Sequence, residues 1–162
     1  MRTLMLICCA LASVNAIAAD DARSKLLTFN PFNGTLESNH SFTKVESAFD
    51  KDNRCVLVSK SRTYSKAEDV FENENVMTID FTNLPVKEMY AAHRDAGNWL
   101  HVKYQIHATL TKSLVHYSVS SVSMPGMTYE RDDDYFVFMF NELDEVTRAQ
   151  QLLIDIITEC QQ

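Results

Sequence analysis

From Trp99 to Leu110 the chain alternates without a break. Leu100, Val102, Tyr104, Ile106, Ala108 and Leu110 fall on one side, and Trp99, His101, Lys103, Gln105, His107 and Thr109 on the other. A period of two places successive side chains on opposite faces of an extended chain, so this stretch predicts a half-buried strand and excludes a helix. The segment that follows, Ser113 to Ser121, is also rich in alternating apolar residues. A tight turn at Thr111-Lys112 predicts a hairpin that sets Ala108 opposite Val115, Ile106 opposite Tyr117 and Tyr104 opposite Val119. That register matches apolar to apolar, and a slip of one residue would invert it.

The remaining chain is read around this hairpin. Thr35 to Phe49 is expected as a short amphipathic helix, with Leu36, Phe42, Val45 and Phe49 near helical spacing. A strand is expected from Cys55 to Tyr64, a polar loop from Lys66 to Asn75, and a second strand from Val76 to Thr82. Residues 83–98 suit either a helix begun by Pro85 or a strand; the strand is preferred, because an antiparallel meander needs no added layer. Pro125-Gly126 interrupts the next strand, Met127 to Glu130 resumes it, and Arg131 to Asp134 reads as an acidic turn. Tyr135 to Phe140 is a buried strand. Asn141 can cap a last helix, whose stripe runs through Leu143, Val146, Ala149, Leu153, Ile156 and Cys160. The expected fold class is α+β: a mostly antiparallel curved sheet or partly open barrel closed by the C-terminal helix. Strands first and a long helix last is an arrangement shared with pleckstrin-homology-like barrels; a cystatin- or NTF2-like curved sheet is the second possibility.

The N-terminus predicts export. Arg2 precedes an uncharged run from Leu4 to Ala12, then Ala16-Ile17-Ala18 and Asp20-Asp21. A positive start, a short apolar core and small residues before an acidic stretch are the parts of a secretory signal, with cleavage after Ala18 or Ala19. Residues 1–19 are therefore expected to be a signal peptide and 20–162 a single domain, periplasmic or extracellular. The full chain has 162 residues and a net charge of −7; loss of residues 1–19 takes Arg2 with it and leaves −8. Cys8 and Cys9 leave with the leader, so Cys55 and Cys160 remain. Two cysteines in an oxidising compartment allow one intramolecular bond, which would fasten the last helix to the sheet.

Composition narrows the chemistry. The three glycines, Gly34, Gly97 and Gly126, lie far apart, so neither a P-loop nor a dinucleotide fingerprint can be written, and no cofactor is implied. The acidic balance opposes non-specific nucleic-acid binding, which needs basic surface. After residue 19 no apolar run approaches the ~20 residues of a transmembrane helix.

A few residues remain as candidate sites. The hairpin register sets His107 opposite His116, about 5 Å apart at Cβ, with His101 on the same face; two imidazoles at that distance can share a metal ion, although a site needs a further ligand. Trp99 and Met124 meet in the same register on the polar face and, with His101, form a candidate contact patch. Asp132-Asp133-Asp134 lacks the alternation of a calcium loop. No G-x-S-x-G elbow is present. Asn33-Gly34-Thr35 and Asn39-His40-Ser41 match the glycosylation tripeptide, at a frequency near chance for this composition. The expected function is that of an exported, non-enzymatic binding or interaction module for a protein, peptide or small ligand. The alternative is a small exported enzyme or metal-binding protein using the histidine-bearing face.

Overall fold

The computed structural model of the chain describes residues 21–67, 70–93, 99–100, 102–121 and 128–162. A short helix, α1, covers 21–26. The strands that follow are β1 (Asn33–Ser38), β2 (Ser41–Phe49), β3 (Val56–Ser65), β4 (Phe71–Asp80), β5 (Val86–His93), β6 (Trp99–Leu100), β7 (Tyr104–Leu110), β8 (Val115–Ser121), β9 (Thr128–Asp133) and β10 (Tyr135–Phe140). The helix α2 (Leu143–Cys160) ends the fold. Two antiparallel sheets result. One runs β6-β1-β2-β3-β4-β8-β9, with a two-residue outer strand, and the other runs β10-β7-β5. The fold is α+β, and no closed barrel forms among the described residues.

The expected hairpin is absent. β7 pairs with β5 and β10, whereas β8 pairs with β4 and β9. Three strands instead bend together from one sheet into the other. β4 passes into β5 through a 3-10 turn at Phe81–Asn83, β7 into β8 through residues 111–114, and β9 into β10 across Asp134. At this corner the Leu110 N–H donates to the Asp134 carbonyl at 2.7 Å, and the Leu114 N–H to the Asp133 carbonyl at 3.1 Å. Residues 111–114 thus face the single residue Asp134, and such unequal lengths bend a strand pair. The alternation itself is kept: Ile106, Ala108 and Leu110 are buried in β7, and Val115 and Tyr117 in β8. It set which side chains turn inward; it did not set which strand lies alongside.

Further expectations are corrected. Residues 35–49 are not a helix but β1 and β2, paired with Leu36 opposite Thr43 and Gly34 opposite Val45. In β2 the buried positions are Thr43, Val45 and Ser47, and the exposed ones between them are Lys44 and Glu46. The period is two, hidden because two of the three buried side chains are polar. For the same reason Phe71 to Asn75 belongs to β4 and not to a loop. Arg131 to Asp133 lie in β9, which leaves Asp134 alone as the bend. Val86–His93 is a strand, as preferred. The N-cap residue of α2 is Glu142 and not the expected Asn141, and it makes no side-chain capping bond; Asp144 and Glu145 in the first turn complement the positive end of the helix dipole.

The core lies between the sheets and α2. Val146, Ala149, Leu153, Ile156 and Ile157 of α2 join Phe136, Phe138 and Phe140 of β10, Ile106 of β7, and Leu57 and Ile79 of the larger sheet. Phe32 packs against Phe138 with centroids 4.3 Å apart and the rings tilted by 40°. A Cys55–Cys160 disulfide, with Cα atoms 5.7 Å apart, joins the start of β3 to the end of α2. Buried Arg23 of α1 closes the same seam. Its Nε donates to the Arg54 carbonyl at 2.9 Å, and its Nη1 donates to Glu159 at 2.8 Å. Its Nη2 lies 3.5 Å from Cys160 Sγ.

Candidate functional site

The inner face of the larger sheet is graded. Cross-strand register over β2, β3, β4 and β8 arranges it in rows. The row Phe49, Leu57, Ile79, Val115 is wholly apolar. The next, Ser47, Ser59, Met77, Tyr117, is half polar, as is Val45, Ser61, Asn75, Val119. The last, Thr43, Thr63, Asn73, Ser121, is wholly polar. The apolar row belongs to the core, and Met77 and Tyr117 of the next row extend it; the polar side chains of these rows do not. Between them and Val137, Phe138 and Met139 of β10 lies a cavity of about 300 Å³. That is at the small end of ligand-binding cavities.

The walls are uncharged and mostly self-satisfied. The Thr43 and Thr63 hydroxyls lie 2.9 Å apart, the Ser47 hydroxyl donates to that of Ser59 at 2.8 Å, and the Ser61 hydroxyl donates to the Asn75 carbonyl at 3.3 Å. One group stands out: Asn75 Oδ1 is buried and has no hydrogen-bond partner. A buried acceptor without a donor costs roughly 1–3 kcal/mol, so it is an unusual feature for a native fold. Tyr117 closes one side of the cavity. Burial, helped by the nearby Asp133 charge, pushes its hydroxyl up to about 12, so it stays neutral.

The charges of these strands fall on the opposite face. Arg62 Nε meets Glu74 at 2.8 Å, and Lys60 Nζ meets the same carboxylate at 3.1 Å. The Arg62 hydrogen bond, with Lys60 beside it, holds the Glu74 carboxyl below its ordinary range. Alternation separates the two chemistries: Lys60 and Arg62 point outward, while Ser59, Ser61 and Thr63 point inward.

Of the sequence candidates, His107 and His116 are not brought together. His107 lies in the smaller sheet, opposite Tyr90 and Val137; its Nδ1 is 3.2 Å from the Tyr90 hydroxyl, and the Tyr135 ring is near. His116 lies in the larger sheet opposite Thr78 and Asp132, with Nδ1 2.9 Å from the Asp132 carboxylate. The pairing of His107 with His116 is therefore overturned along with the hairpin that implied it. Among the described residues no group of three His, Cys, Asp or Glu side chains is placed to hold a metal. Trp99 pairs through its backbone with Ser38 at the sheet edge. His101 and Met124 lie outside the described residues. In the acidic run, Asp132 engages His116 and Asp133 lies 3.0 Å from Arg131. The Asn33 side chain is committed to structure: its amide donates to the Leu27 carbonyl at 2.9 Å, and its oxygen accepts from the Ser47 N–H at 3.0 Å. Asn39 is exposed at the β1–β2 turn.

The cavity residues Ser59, Ser61, Thr63, Asn73 and Asn75 escaped the sequence reading. Their signal was present: in Ser59-Lys60-Ser61-Arg62-Thr63, small neutral residues alternate with cations. No family model, curated protein or solved structure matches this chain.

Proposed function

We propose that this chain is an exported, non-enzymatic binding module that holds a small ligand in the cavity under the larger sheet. The observation that carries this reading is a cavity of about 300 Å³ walled by uncharged hydroxyl, amide and apolar side chains. General acid–base chemistry needs a group that titrates near the working pH. The described lining residues include one ionisable side chain, Tyr117, and its pKa lies near 12. Export rests on the leader pattern, and the disulfide is consistent with an oxidising compartment. The bent three-strand ribbon with α2 packed against it fits the partly open barrel expected from the sequence. The rival reading, an enzyme or metal site on a histidine-bearing face, is weakened by the placement of His107 and His116 in different sheets.

Native mass spectrometry of protein purified from the exported fraction tests the proposal. A small molecule should accompany the wild type and be lost from Ser61→Phe, whose ring would occupy the cavity. Substrate turnover that survives Ser61→Phe but is abolished by His107→Ala or His116→Ala would overturn it in favour of the rival.

A further inference from the structure

Granting the binding reading, we infer that the ligand is an uncharged amphiphile: an apolar body carrying a hydroxyl or amide N–H, and not a carboxylate or phosphate. Three observations define the class. First, none of the described cavity-lining residues carries a charge. The cations of the same strands, Lys44, Lys60 and Arg62, occupy the alternate positions and so face away. An anion buried here would lose its hydration and gain no counter-charge, which is strongly unfavourable. Second, the wall is graded. Met77, Tyr117 and Phe138 are buried at one end, next to the core, and Thr43, Thr63 and Asn73 form the polar end. A ligand that is apolar along its length and polar at one end satisfies both. A wholly hydrophilic sugar would leave hydroxyls against Met77 and Phe138. Third, the polar part of the wall, with Thr63, Asn73 and Asn75, consists of hydroxyls and amides, which exchange hydrogen bonds with a hydroxyl or amide N–H.

Three probes of stated chemistry separate the possibilities: octan-1-ol, octanoate and glucose, each added to the exported protein at pH 7. Binding is followed by calorimetry and by the NMR signals of the Asn75 side-chain amide and the Met77 methyl. The expectation is that octan-1-ol moves both signals and binds at least about tenfold more tightly than octanoate, while glucose moves neither. Asn75→Leu removes an amide from the wall and, with it, a buried oxygen that has no partner. It should weaken octan-1-ol about tenfold, the worth of one hydrogen bond, and raise the Tm of the free protein by about 2–4 °C. Lower affinity with higher stability is a combination that a merely structural asparagine would not produce. Octanoate binding as tightly as the alcohol, or glucose alone moving the signals, would overturn the amphiphile class and leave the cavity as a binding site. If none of the three moves either signal, the cavity admits no ligand, and the binding reading falls with the class.

Discussion

Gly34 lies where β1 passes the turn that precedes it. A Cβ built there would stand 1.6 Å from Asn30 Oδ1 and 2.9 Å from the Asn30 carbonyl oxygen. The Asn30 side chain is not free to move aside, because its amide donates to the Thr35 carbonyl and its oxygen accepts from the Thr35 N–H, each at 3.1 Å. Gly34→Ala is therefore expected to cost about 1–3 kcal/mol, read as a lower urea midpoint; an unchanged midpoint would mean that the turn relaxes freely. Tyr117 supplies a second test at this scale. Its hydroxyl stays protonated to about pH 12 in the fold, against an ordinary value of 10. The unfolded chain thus releases this proton first. Its contribution to stability is complete below pH 10 and is lost as the pH climbs from 10 towards 12. Urea unfolding at pH 9 and 11.5 should show a larger drop for the wild type than for Tyr117→Phe.

Element by element, legibility followed the polarity of the inner face. β10 and α2 emerge clearly from the sequence, because their buried positions are runs of apolar residues: Phe136, Phe138 and Phe140 in β10, and Val146, Ala149, Leu153 and Ile156 in α2; β3 is legible from its opening Val56, Leu57 and Val58. β2 and the first half of β4 do not. Thr43, Ser47, Asn73 and Asn75 among their inward positions are polar, and Val45 alone between Thr43 and Ser47 is too little for a hydrophobic period to detect. The segments misread as helix and as loop are the ones that build the cavity. Charge on the outer face of these strands has its own consequence. With its carboxyl held below 4.5 by Arg62 and Lys60, Glu74 contributes stability above that value, and the contribution is lost as the pH falls through its depressed pKa in the fold. Glu74→Gln should flatten the acid limb of stability below pH 4.5. The pair is partly exposed, so added salt should shrink the difference between the two proteins.

For the molecule as a whole, the disulfide and the corner are the long-range constraints. Cys55 and Cys160 lie 105 residues apart. In the chain-entropy account, closing a loop of that length is worth up to about 4.7 kcal/mol, less any residual order in the unfolded chain. Replacing both cysteines by alanine should lower the unfolding free energy by about 2–4 kcal/mol. The contacts of Arg23 and the packing of α2 remain as local ties, so the variant should still fold. What the sequence by itself determined is local or combinatorial. Alternation settled which side chains of β7 and β8 turn inward, helical spacing settled the buried stripe of α2, and a count of two cysteines left one pairing. Which strands lie side by side was decided only in three dimensions. The apolar faces of β7 and β8 can be buried by pairing with each other or by bending into separate sheets. The corner at Asp134 selects the second outcome, because it buries both faces against one core together with α2. That choice parts His107 from His116 and gathers Asn75 with the serines and threonines of distant strands, so the site belongs to the tertiary fold.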